Sequence, residues 1–210
     1  YPGVPVPSLV AARLGWRLEE VTCLGLHAAP LERLRRHLTD GARLIVTLRD
    51  GAAPSALAGY LTALGFGPSA LHVMEHLGGP RERIRRHAAH DGLPDFENLV
   101  ACAIEVRGGK GLPQVPGLAD DLFDHDGQIT KRPIRALALS ALAPRAGELL
   151  WDLGAGSGSV GIEWLLSHPR NRAVGVERDP GRAARARANA RSFGVAHFDI
   201  REGAALELLP

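Results

Sequence analysis

The chain has 210 residues, of which 45% are hydrophobic and 23% charged, enough apolar side chain for one large core or two modest ones and too much for a disordered segment. Lys and Arg total 25 against 23 acidic residues, and the formal charge of +2 excludes a general nucleic-acid binder while leaving room for a local basic patch. Cys23 and Cys102, far apart and without metal-ligand spacing, give neither a disulfide framework nor a zinc site, and with no membrane-length apolar run or signal-peptide pattern at Tyr1-Pro2-Gly3 a cytoplasmic fragment is expected.

In chain order, the spacing of apolar residues predicts a helix over residues 9–14, a strand over 21–24 and a helix over 31–38, punctuated by Gly15 and Gly41. A strand over 43–48, a turn at Asp50-Gly51, a helix over 54–64 and strands over 70–74 and 100–106 follow. Such alternation is an α/β layout. Residues 107–117 then carry four glycines and two prolines in eleven positions, which neither a helix nor a strand interior tolerates. The expected division is therefore a first domain over 1–107, a linker over 108–117 and a second domain over 118–210.

The second domain opens with a helix over 132–142, with Thr130 near its N-terminus and Pro133 in its first turn. A short apolar strand over 148–151, a glycine loop over 152–159, a helix over 160–166 and a strand over 173–176 come next. Asp179 caps a helix over 180–192, and a third strand covers 197–201. This order is Rossmann-like, and because a doubly wound sheet has further strands the domain is expected to be incomplete on its C-terminal side.

The loop Asp152-Leu153-Gly154-Ala155-Gly156-Ser157-Gly158-Ser159 lets backbone approach a ligand that a Cβ would exclude, with the next helix aiming free N–H groups at it. Glu177, ending the following strand, is placed to accept hydrogen bonds from both hydroxyls of a ribose. A dinucleotide fingerprint would need glycine where Ser159 stands. The G-x-G-x-G spacing with Asp152 before it instead resembles the S-adenosylmethionine loop of Rossmann-like methyltransferases. Loop and acid together point to a nucleoside cofactor, with a structural turn or another ligand as the alternatives.

Two further sets of residues extend that likeness. Gly117-Leu118-Ala119-Asp120-Asp121-Leu122-Phe123 with Gly127-Gln128-Ile129-Thr130-Lys131 precedes the glycine loop, while Pro2-Gly3-Val4, Ala11-Ala12-Arg13-Leu14-Gly15-Trp16, Asp50-Gly51-Ala52-Ala53-Pro54 and Leu77-Gly78-Gly79-Pro80-Arg81-Glu82-Arg83-Ile84 mark the first half. On these, the chain resembles the bifunctional precorrin-6Y C5,15-methyltransferase (decarboxylating) family of cobalamin biosynthesis along nearly its whole length. The resemblance implies an α/β fold in which an incomplete C-terminal Rossmann-like (class I) methyltransferase domain is preceded by the second α/β subdomain of a tetrapyrrole methylase. It implies methyl transfer from S-adenosyl-L-methionine to C5 and C15 of a precorrin, with decarboxylation of an acetate side chain. The C5 site is expected to be incomplete, since the family's glycine-rich and Gly-Asp-Pro loops have no counterpart here.

From loop and resemblance together, the expected cofactor residues are Gly154, Ala155, Gly156, Ser157 and Gly158 as the close-approach loop, Glu177 on the ribose, Thr130, and the backbone of Ala205 near the adenine. Gly203-Ala204-Ala205 stands where relatives have Gly-Asp-Ala. Lys131 and Arg132 are expected to meet the carboxylates of a tetrapyrrole, with Arg135 either completing that basic rim or lying on a solvated helix face. Asp152 either organises the loop or is an ordinary turn carboxylate, His125 and Asp126 are proton-transfer groups or an exposed loop pair, and Arg182, Arg185, Arg187 and Arg191 read as solvent-facing. No catalytic residue and no metal ligand is assigned. The expected partner is a small-molecule tetrapyrrole, not a nucleic acid or a membrane, and the expected assembly is a homo-oligomer. The competing readings are a Rossmann-like methyltransferase for another substrate, a nicotinamide-dependent oxidoreductase, and a non-catalytic fragment.

Overall fold

A computed structural model of the chain describes residues 3–98 and 100–208; Pro2 of the Pro2-Gly3-Val4 motif and the outer ends of both expected domains lie outside them. The chain divides into two compact units, Tyr1–Gly111 and Leu112–Pro210.

In the first unit, α1 (Val6–Leu14) ends at Gly15, whose left-handed φ of 65° lets its N–H reach the Ala11 carbonyl. Strands β1 (Val21–Gly25), β2 (Arg43–Thr47), β3 (Ala70–Glu75), β4 (Arg83–Ala88) and β5 (Val100–Glu105) form one mixed sheet in the order β1-β2-β5-β3-β4. Only β1 and β2 run parallel. Alternation along the strands splits the core between the two faces: Leu44, Val46 and Ile104 pack with α2 (Ala53–Ala63), while Ile45, Ala101 and Ala103 pack under α1. Asp50 starts α2 by accepting the N–H groups of Ala52 and Ala53.

The helix expected over 31–38 is a 3-10 helix over Leu31–His37, with Leu31 and Leu34, three positions apart, both packed on the core. Strand β4 was not expected, because Arg-Ile-Arg-Arg-His-Ala has no strand-like run of apolar residues; it is an edge strand whose charges serve β3. Arg83 and Arg85 converge on the buried Glu75 and, with the Glu97 N–H and against the cost of burial, hold its carboxyl down to about 2.

The second unit holds α3 (Arg132–Leu142), β6 (Leu149–Leu153), α4 (Ser159–Ser167), β7 (Arg172–Glu177), α5 (Pro180–Ser192), β8 (Asp199–Glu202) and a short α6 (Ala205–Leu208). The three strands are parallel in the order β6-β7-β8, with α4 and α5 as the crossover helices. Asp179 caps α5 by accepting the Arg182 N–H at 2.9 Å, with Pro180 at the first helical position. Residues 117–131, which we call the strap, are largely irregular, yet Leu118 and Phe123 from it sit in the core with Ile162, Ala186, Phe193 and Phe198.

The arginines need correcting. Arg135 is neither on a solvated face nor in a basic rim: it is fully buried, and its guanidinium donates to Glu163, to Asp120 and to the carbonyls of Thr130 and Leu118, with its plane over the Phe123 ring. Glu163 in turn accepts the N–H groups of Gly117 and Leu118. A fork of five donors can satisfy these four acceptors at once, which is what makes burial of the charge tolerable. Arg182, Arg185 and Arg187 are half-buried and paired instead of free in solvent, with Asp126, with Asp124 and Asp126, and with Glu202 and the Ile200 carbonyl respectively; Arg191 is exposed as expected.

No helix among the described residues is long and apolar enough to cross a membrane.

Candidate functional site

The glycine loop turns back over the end of β7. The N–H groups of Gly154 and Ala155 both donate to the Val176 carbonyl, at 2.8 and 3.0 Å, and Gly158 N–H closes a turn on the Ala155 carbonyl at 2.7 Å. Gly154, Gly156 and Gly158 have φ of 76°, 56° and 76°, left-handed values that explain glycine at all three.

Above the loop lies a cavity of about 730 Å³. It brings together Thr130, Gly154, Ala155, Gly156, Ser157, Glu177 and Ala205, so seven sequence-picked positions from four chain segments line one cavity. Gly158 does not line it but caps α4, and the exposed Lys131 and Arg132, next to Thr130, lie outside the lining. Gln128, Ile129, Arg178, Arg182 and Gly203 also line the cavity and were not picked.

Glu177 is 8% exposed, and its carboxylate accepts the Gly156 N–H at 2.8 Å on one oxygen and the Asp179 N–H at 2.9 Å on the other. Each oxygen keeps a second lone pair, so the group is oriented by the backbone and can still accept two hydroxyl donors. Asp152, near the end of β6, is tied to α4: its Oδ2 accepts the Gly161 N–H at 3.1 Å. Burial pushes its carboxyl above the ordinary range, opposed by the Gly161 N–H and helped by the charge of Glu177. Asp126 on the strap is exposed; Arg182, the Gln128 N–H and Arg185 hold its carboxyl down to about 2, and the His125 ring accepts the Gly127 N–H at 3.0 Å.

Ser157 is 4% exposed, lines the cavity, and its Oγ has no hydrogen-bond partner. A buried hydroxyl left unpaired costs free energy, so this atom marks a place for a polar ligand group. Among the described residues the lining has no Cys, His or Lys. It suits holding a ligand by ribose hydroxyls and backbone contacts, and has none of the usual thiol, amine or imidazole groups for covalent catalysis.

Sequence reasoning also missed Gly161, Gly175 and Phe198. A Cβ at Gly161 would overlap the Phe198 ring, and one at Gly175 would lie 2.9 Å from it. The available signals were an isolated glycine inside a helical pattern at Gly161 and one inside a strand pattern at Gly175.

A family model described as a precorrin methyltransferase domain matches residues 121–210. Precorrin-6Y C(5,15)-methyltransferase (decarboxylating) of Sinorhizobium sp is 50% identical over 217 residues, covering 99% of this chain and 52% of that protein. The protein of the same name from Mycobacterium tuberculosis (strain CDC 1551 / Oshkosh) is 42% identical over 205 residues, covering 95% of this chain and 50% of that one. Among solved structures, the C-terminal domain of precorrin-6Y C5,15-methyltransferase from Rhodobacter capsulatus is 47% identical, with 47% of this chain and 55% of that chain covered and a TM-score of 0.44. The chain spans about half the length of the curated relatives it matches, and over that span it is a homologue of the precorrin-6Y C5,15-methyltransferases (decarboxylating).

Proposed function

We propose that the second unit binds S-adenosyl-L-methionine in the cavity over the glycine loop and, within a longer protein, directs methylation of a precorrin at C15 with decarboxylation of an acetate side chain. In the same reading the first unit is the second subdomain of a tetrapyrrole methylase that serves the C5 methylation, the pathway is cobalamin synthesis, and the protein is a cytoplasmic homo-oligomer. The observation that carries the proposal is the convergence of Thr130, the Gly154–Ser157 backbone, Glu177 and Ala205 on one cavity.

Bound there, the cofactor supplies an already activated methyl group. The chain's own residues have to hold and orient. Glu177, set by two backbone N–H groups, accepts the ribose hydroxyls; Gly154 and Gly156 allow close backbone approach; the Ser157 hydroxyl finds a polar partner; and Ala205 offers its backbone to the base. Alignment of donor and acceptor supplies several kcal/mol or more without a covalent protein intermediate. Lys131 and Arg132, exposed beside Thr130, meet the substrate's carboxylates. Ser159, where a dinucleotide fingerprint has glycine, disfavours a nicotinamide cofactor.

Calorimetric titration with S-adenosylmethionine and separately with NADH, repeated on Glu177→Ala, tests the proposal. Selective S-adenosylmethionine binding, weakened in the variant by about 1–3 kcal/mol or roughly 5- to 150-fold, is expected. Selective NADH binding, or binding of neither, overturns it.

A further inference from the structure

Two of the segments that line the cavity come from separate parts of the chain. One is the glycine loop; the other is the end of the strap, through Gln128, Ile129 and Thr130. Asn189, on α5 and 4% exposed, joins them. Its Oδ1 accepts the Asp124 N–H at 2.9 Å, and its Nδ2 donates at 2.9 Å to both the Asp124 carbonyl and the Ser157 carbonyl. One amide thus ties the strap backbone twice and the loop backbone once. Close by, the rings of Phe123 and Phe193 pack 4.8 Å apart, and Asp126 takes Arg182 at 2.8 Å.

We propose that Asn189 is a positioning residue of the cofactor site, which makes placement of the strap and of the glycine loop a single event. The inference rests on the cofactor reading above. A ligand seated on the loop then orders the strap, and by linkage an ordered strap raises the affinity for that ligand. If the strap is released, the binding-competent fraction of the protein falls, and the apparent affinity falls with it. Asparagine suits the task because it is the short side chain that offers both an acceptor and two donors without charge.

The test is amide hydrogen exchange over residues 118–130, with and without S-adenosylhomocysteine, together with calorimetric affinity for the same probe. It compares the unaltered chain with Asn189→Ala, Asn189→Leu and the control Arg191→Ala, an exposed position on the same helix. In the unaltered chain and the control, the probe slows strap exchange. In both Asn189 variants, exchange of the unliganded strap rises about tenfold while β7 and α4 stay protected, the probe no longer slows it, and affinity falls about tenfold. A residue of general stability would not produce that local, ligand-linked pattern. Unchanged strap exchange, or a loosened strap with unchanged affinity, overturns the proposal. So does a rise in exchange throughout the unit in both variants, the leucine one having filled the volume. Failure of the unaltered chain to bind the probe overturns the cofactor reading, seen before any variant is compared, and unliganded strap exchange then judges Asn189 alone.

Discussion

At Gly154 an added Cβ would meet nothing within 4 Å, and at Gly156 it would meet the Gly154 carbonyl at 3.9 Å, whereas at Gly158 it would lie 3.1 Å from Ala186 Cβ and 3.3 Å from the Phe198 ring. The first two positions face the cavity and the third faces the core. Gly161 and Gly175 continue the core side, forming with Gly158 a slot into which the end of the Phe198 ring fits. One residue type therefore does two jobs within a few positions. On one side, glycine keeps space open for a ligand; on the other, it yields space to a neighbouring side chain, drawing α4 and β7 close around the Phe198 ring.

Substitution separates the two jobs. Gly161→Ala is expected to have the largest effect, because the ring it would strike is 5% exposed and walled by Gly158 and Gly175 as well. Overpacking costs about 1–3 kcal/mol and occasionally more, and a Cβ 2.2 Å from the ring belongs at the upper end, so the roughly 1 kcal/mol that alanine gains over glycine within a helix offsets only part of it. Urea unfolding should show the loss, and a Phe198→Leu background should shrink it. Equal stability of Gly161→Ala and the unaltered chain would mean that the ring moves aside freely and the slot is not packed.

Gly154→Ala should behave in the opposite way. Its left-handed φ costs an alanine about 1–2 kcal/mol, with no steric clash to add. Cofactor affinity should fall more steeply than stability, since the new methyl enters the ligand's space. A variant that unfolds earlier yet binds S-adenosylhomocysteine unchanged would remove Gly154 from the close-approach surface.

The two jobs were not equally legible in the sequence. The strand, loop and helix, the acid at Glu177 and the cap at Asp179 all depend on short-range spacing, and the structure places Glu177 and most of the loop on the cavity. What makes Gly161 and Gly175 necessary is Phe198, an aromatic ring further along the chain, and no local pattern announces that meeting. Arg135 was obscure for the same reason. Its acceptors are the Leu118 and Thr130 carbonyls and the carboxylates of Asp120 and Glu163, so only the folded strap and α4 reveal that its charge belongs inside. Strand β4 escaped notice because edge strands carry charge where central ones carry apolar alternation. Asn189 reads simply as a polar residue within an alanine- and arginine-rich helix.

The smallest effect concerns the carboxylates that hold the two sides. Glu177 takes the Gly156 N–H on the cavity side, and Asp152 takes the Gly161 N–H on the core side. Burial raises the Asp152 carboxyl above its ordinary value of about 3.8. Between the unfolded and folded values the native state holds more protons than the unfolded one, so this group's contribution to stability falls as pH rises through that window. Asp152→Asn keeps an acceptor for Gly161 and has nothing to ionise. Its stability relative to the unaltered chain should therefore climb as pH rises from about 4, then level off above the raised value. Urea unfolding of both proteins across that range reads the difference directly, free of the other titrating groups they share. A flat difference would mean that Asp152 ionises without penalty, and hence that water reaches the core side of the loop as readily as it reaches the cavity.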